Sequence, residues 1–159
     1  MYLVLKVVHV AAVVIFLGNI TIGVFWKAIA DRRRDAAVVA HTIGGIIEAD
    51  RYFTIPGVVT LIAAGIGTAL VGQIPILGTG WVLWPLVLIV LSGLAFGPLA
   101  RAQRALLALA KGGLPTEADW AKYHALSQGW NVWGGIALVL PVVAFIIMIL
   151  KPNLPAFHR

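Results

Sequence analysis

Four apolar runs, at residues 3–29, 52–74, 81–100 and 130–150, are each about the length that crosses a bilayer. A hydrocarbon core about 30 Å thick takes roughly 20 helical residues to span. Lipid offers no partner for backbone polar groups, so runs this long cross as helices, whose amides bond internally. The chain is 61% hydrophobic and 11% charged, with a mean hydropathy of +0.99, whereas a water-soluble domain carries about 25% charged residues. A soluble fold is excluded. The expected class is all-α: a polytopic membrane protein with a four-transmembrane-helix bundle, its partner the lipid bilayer. Its 159 residues make one membrane domain with no sizeable module outside.

The net charge of +6 would suggest nucleic acid in a soluble chain, but here the cations gather at helix ends. Lys27, Arg32, Arg33, Arg34 and Arg51 flank or fill the first connection; Arg101, Arg104, Lys111 and Lys122 belong to the third. The middle connection, Pro75-Ile76-Leu77-Gly78-Thr79-Gly80, is uncharged, and Lys6, Lys151 and Arg159 fall on its side. The positive-inside rule then puts both termini outside and the basic connections in the cytoplasm, in a bacterial inner membrane, with no nucleic-acid partner. Ala28-Ile29-Ala30 looks like a signal-cleavage site. The apolar stretch before it is about twice an h-region of ~7–15 residues, and three arginines follow, so the first run is expected to stay as a helix. The absence of cysteine removes disulfides, thiolate metal sites and thiol nucleophiles.

The connections read as helical cytoplasmic extensions. Residues 35–48 suit a short interfacial helix, weakened at Gly44-Gly45, with an apolar stripe of Val38, Val39, Ile43, Ile46 and Ile47 that can rest on lipid or on the bundle. The third helix runs on to residue 111, where Gly112-Gly113 stops it. The fourth spans 117–150, with 130–150 in the membrane and Thr116 placed to cap it through the Asp119 amide. Packing is expected to use small residues: the GxxxG of Gly93–Gly97, the stretch from Ala64 to Ala69, and Gly134-Gly135. Trp81, Trp84, Trp130 and Trp133 suit interfacial anchors or ring packing for a cofactor. Glu48, Asp50 and Arg51 suit surface ion pairs, and Asn19, Ser127, Gln128 and Asn131 suit hydrogen bonds between helices.

Lys6 and His9 lie inside the first run, in Val4-Leu5-Lys6-Val7-Val8-His9-Val10. Ionisable groups at membrane depth are costly and are functional candidates by default. His9 is roughly 9 Å along the axis from the outer helix end at 1.5 Å per residue. A neutral imidazole there either bonds a neighbouring helix or ligates a metal, above all haem iron. Lys6, one turn away, either snorkels to the interface or meets a haem propionate. Met148 lies at a similar depth in the fourth helix and is a candidate second axial ligand or a packing residue. His41 and His124 belong to the other side, where a shared metal is conceivable from two imidazoles, and His158 belongs to the tail. No nucleotide loop, catalytic triad signature or HExxH occurs.

The opening Tyr2-Leu3-Val4-Leu5-Lys6-Val7-Val8-His9-Val10, with Gly18 beyond it, resembles the first helix of the HemJ-type haem-b membrane protoporphyrinogen oxidases. Arg51-Tyr52-Phe53-Thr54-Ile55-Pro56, with Thr60 and Gly65, is similar to the start of that family's second helix, and Lys151-Pro152 to the end of its fourth. The chain equally resembles a related group of predicted integral membrane proteins of unknown function and, more distantly, the copper-resistance D-type membrane proteins. The resemblance implies haem b, with His9 as the iron ligand. In the oxidases the third helix carries an intramembrane lysine important for activity, and often a histidine further on. Here Trp84-Pro85-Leu86 and Gly93–Gly97 stand in that region with neither, so oxidase activity is not implied. Three readings stand: a b-type haem or redox protein, a cofactor-free membrane protein with a structural, small-molecule or copper-handling role, and a porphyrinogen oxidase. Homo-oligomerisation is a further expectation, because four helices are few for an independent transporter.

Overall fold

The computed structural model describes residues 1–157; His158 and Arg159 lie outside the described residues. Helix α1 is Tyr2–Arg33, α2 is Ala36–Ala49, a π-helical turn occupies Asp50–Thr54, α3 is Ile55–Val71, α4 is Gly80–Lys111 and α5 is Glu117–Leu150. Four continuous helical stretches are long and apolar enough to cross a membrane, α2, the π turn and α3 together forming one of them. Only 11% to 33% of the most apolar window in each is buried within the protein, so most of each spanning surface is left for lipid. Val7, Leu94 and Ile149, each about two-thirds exposed, belong to that outward surface.

Local chemistry sets the ends of the helices. Arg34 takes a left-handed conformation and breaks α1, and Asp35 then caps α2, its carboxylate accepting from the Ala37 and Val38 amides at 2.8 and 3.2 Å. Arg32 and Arg33 occupy the last turn of α1, where the helix dipole favours cations. Helix α4 ends at Gly112, and Gly113 follows with φ of 81°, a conformation that needs glycine. Thr116 and Asp119 form a reciprocal capping box at the start of α5. The hydrogen bond from Thr116 holds the exposed Asp119 carboxyl below the usual carboxylate range.

Helices α4 and α5 pack as an antiparallel hairpin, α1 packs on α3, and α2 packs on α4 and α1. The larger core lies at the basic end of the bundle, where Val39, Ile43, Leu106 and Tyr123 are almost wholly enclosed. A smaller core of Ala12, Phe16, Leu61, Ile89 and Ala144 lies toward the end that carries the termini. Of the two places open to the stripe of residues 35–48, it takes the bundle, as part of α2. The stripe around Val39 and Ile43 faces α4, and the chain passes through Gly44-Gly45 into α3 without a break. Burial against α4 outweighs the modest cost of glycine in a helix, about 1 kcal/mol each.

Two further expectations change. A Cβ built on Gly93 or Gly97 would meet open space, so the GxxxG faces outward; Gly65, Gly67 and Gly134 supply the close approaches instead. Trp130 is 4% exposed and belongs to the core, whereas Trp84 and Trp133 remain on the surface. The tail after α5 is folded back, with the Trp84 indole donating to the Pro155 carbonyl and the Phe157 amide to Leu77, each at 3.0 Å. Leu154 rests against Gly80, where any side chain would overlap its carbonyl.

Candidate functional site

A cavity of about 300 Å³ opens at the terminus end, walled by α1, α3, α4 and α5. Lys6, His9 and Met148 all line it, so residues separated by 139 positions or more in the chain meet at one site (148 − 9). The rest of the wall is almost entirely apolar, including Phe16, Leu61, Trp81 and Phe145. Among the described residues the charged side chains at this cavity are Lys6 and Lys151, and no acidic side chain accompanies them. Lys151 holds its ammonium 4.8 Å from the centre of the Trp81 ring, a cation–π contact at the cavity's edge.

His9 Nδ1 lies 2.8 Å from the Leu61 carbonyl oxygen. A carbonyl accepts only, so Nδ1 is the donor and a neutral ring carries its lone pair on Nε2. Nε2 has no hydrogen-bond partner among the described residues. This is the arrangement that prepares a histidine as a metal ligand: one nitrogen anchored to the backbone, the other left as a base. Gly65 makes the room. A Cβ at that position would stand 2.9 Å from His9 Cε1 and 3.0 Å from Nδ1, closer than packed carbons tolerate. The ring therefore depends on a glycine one turn beyond the carbonyl that it binds.

The donor set fits a haem in kind: a basic imidazole nitrogen, a thioether, apolar and aromatic walls, and two ammonium groups for carboxylates. At about 300 Å³ the cavity is at the small end of the ligand-pocket range. His41 lines a separate groove between α1 and α2, and His124 packs beside Trp120 and Tyr123 on α5. No group of three or more His, Asp or Glu side chains with metal-ligand spacing occurs among the described residues.

Two polar networks at the basic end escaped the sequence reading. Lys27, expected at the membrane edge, is 1% exposed; its ammonium donates to Asp31 and Ser127, both at 2.6 Å, and lies 4.7 Å from the centre of the Trp130 ring. The Tyr123 hydroxyl donates to the other Asp31 oxygen at 2.5 Å. Asp50, expected in a surface ion pair, is 8% exposed and bonded to Thr54 and Gln103 instead. The Lys27/Asp31 and Asp50/Thr54 spacings of four residues put each pair on one helix face, a signal that was available but not specific. Asn19 and Ser127 do bond between helices, to Thr54 and Lys27; Gln128 and Asn131 are exposed.

No curated protein and no solved structure matches the chain. A family model described as "Predicted integral membrane protein (DUF2269)" matches residues 3–152. That match covers nearly the whole chain, and the protein belongs to this family of integral membrane proteins.

Proposed function

We propose that this integral membrane protein binds haem b in the cavity at its terminus end, where His9 Nε2 would be an iron ligand. The observation that carries the reading is the His9–Leu61 hydrogen bond, which leaves Nε2 as a free base at a nearly all-apolar wall. Lys6 and Lys151 supply the positive charge that two propionates require at the edge of an apolar pocket. Met148 is the second ligand that the same cavity offers, and a thioether partner raises a haem's reduction potential. Bound haem supplies one-electron chemistry; the protein's part is to orient the imidazole, exclude water and match the carboxylates. The sequence resemblance to haem-b membrane proteins agrees with this reading. It does not extend to porphyrinogen oxidation, because α4 presents only Trp81, Val82, Pro85, Leu86 and Ile89 to the cavity.

The charge asymmetry between the two ends supports an orientation with the basic end in the cytoplasm and the cavity in the outer half of a bacterial inner membrane. The test is the visible spectrum of detergent-purified protein, oxidised and dithionite-reduced, beside His9→Ala. A Soret band with a reduced α-band that is lost in the variant supports the assignment. Protein that purifies without haem and takes up none from added hemin refutes it.

A further inference from the structure

A second chamber, of about 110 Å³, lies inside the bundle toward the basic end. Asp50, Thr54, Gln103 and Ser92 line it and are each 8% exposed or less, with Asn19 beside them. At 1.5 Å per residue, Asp50 is roughly 30 Å along the helix from Val71 and Asn19 roughly 25 Å from Tyr2, so the chamber lies near the far edge of the hydrocarbon.

The hydrogen bonds here run in one direction. Asn19 Nδ2 donates to Thr54 Oγ1 at 2.8 Å, Thr54 donates to Asp50 Oδ1 at 2.7 Å, and Gln103 Nε2 donates to Asp50 Oδ2 at 2.8 Å. Both carboxylate oxygens therefore accept, as an acid that holds a cation must. Turning both amide nitrogens to these bonds leaves Asn19 Oδ1 and Gln103 Oε1 as free acceptors. Ser92, about 16 Å from Gln103 along α4, donates to the Ala137 carbonyl at 2.9 Å at the other end of the chamber. The Trp130 indole N–H, from another wall of the chamber, is buried with no hydrogen-bond partner among the described residues. The site thus has more acceptors than donors, and an indole N–H still wanting a partner.

Among the described residues no cationic side chain pairs with Asp50. The groups that face Asp50 are neutral: Thr54 from the π turn, Asn19 from α1 through Thr54, and Gln103 from α4. Glu48 and Arg51 beside it in sequence, and Arg101 and Arg104 on α4, are exposed. The ion pairs among the described residues are Lys27–Asp31 and Arg34–Glu117, each already matched. Asp50 and Thr54 belong to a π turn, a distortion that is frequent at functional sites.

We propose that this chamber holds a monovalent metal-cation site, with the Asp50 carboxylate as its charged ligand and the Asn19 and Gln103 amide oxygens as its neutral ones. One carboxylate matches one positive charge, and hard oxygen donors suit an alkali cation. Polar backbone irregularities inside membrane bundles are where Na⁺ is commonly held. Water in the remaining volume completes the shell and gives the Trp130 N–H an acceptor.

The experiment is thermal unfolding of the detergent-purified full chain in NaCl, KCl and choline chloride at equal ionic strength, followed by tryptophan fluorescence. The expected result is a saturable rise in Tm of about 5 °C in one or both alkali salts over choline. That rise disappears in Asp50→Asn and persists in Glu48→Gln. Asn19→Ala, which keeps the charge, needs several-fold more salt for the same rise and serves if Asp50→Asn does not fold. Equal Tm in all three salts overturns the proposal, as does an alkali effect that survives Asp50→Asn. A Tm that follows pH but not Na⁺ or K⁺ assigns the chamber to a proton and overturns it too.

Discussion

Replacing Gly65 with alanine tests whether the fold was shaped around the His9 ring. The added Cβ would stand 2.9 Å from Cε1 and 3.0 Å from Nδ1, so the imidazole must move. Moving it stretches or breaks the 2.8 Å bond to the Leu61 carbonyl. A part-buried hydrogen bond is worth about 0.5–1.5 kcal/mol and overpacking costs about 1–3 kcal/mol. Alanine regains about 0.5–1 kcal/mol of helix propensity, so the net loss is about 0.5–4 kcal/mol, centred near 2. Gly93→Ala is the matched control: its Cβ meets nothing, so only the propensity gain remains. The propensity gain is common to both, so the two variants should diverge by about 3 kcal/mol in denaturant or thermal unfolding in detergent. Hemin affinity should separate them further, because disturbing the group that orients a metal-ligating histidine costs about 10–100-fold. Equal stability and equal hemin affinity for the two alanines would refute the reasoning.

Further outcomes follow from other contacts. Asp31→Asn should cost about 3–5 kcal/mol, since it leaves the fully buried Lys27 ammonium without a counter-charge. Lys27→Met should cost less, because Asp31 is partly exposed and keeps Tyr123 and Ser127; unfolding titrations of the two variants measure the difference. Gly80→Ala should dislodge the tail from the α3–α4 connection, making residues 152–157 cleavable by protease while the spanning helices stay intact. The Asp119 carboxyl is held low by its bond from Thr116, so its contribution to the α5 cap is present above the unfolded carboxylate pKa and fades as pH falls through the lowered value. Thr116→Ala should move that acid loss of helix signal to higher pH, as read by circular dichroism.

The membrane class, the four spanning helices and the Thr116 cap were legible because each rests on local chemistry: apolar length, glycine punctuation, a hydroxyl before an acidic turn. The meeting of Lys6, His9 and Met148 at one cavity was approachable from depth alone, since equal distance from one membrane face puts residues of different helices at one level. Rotation about the helix axis was not legible. Whether Lys27, Asp50 and Trp130 point inward, and Gly93 and Gly97 outward, is decided by which neighbours each helix meets. In lipid both faces of a helix are apolar, so the periodicity that reports rotation in a soluble protein is weak. The continuity of α2 with α3 was hidden for a related reason. Charged Glu48, Asp50 and Arg51 read as surface ion pairs between two helices until Asp50 is found bonded inside the bundle.

The most direct test of the haem assignment is a hemin titration of purified haem-free protein, wild type beside His9→Ala, with circular dichroism to show that both are folded. A saturable Soret change at one hemin per chain is expected in the wild type, with at least about a tenfold weaker affinity in the variant. Superimposable titration curves, or no saturable binding in either protein, would contradict the assignment.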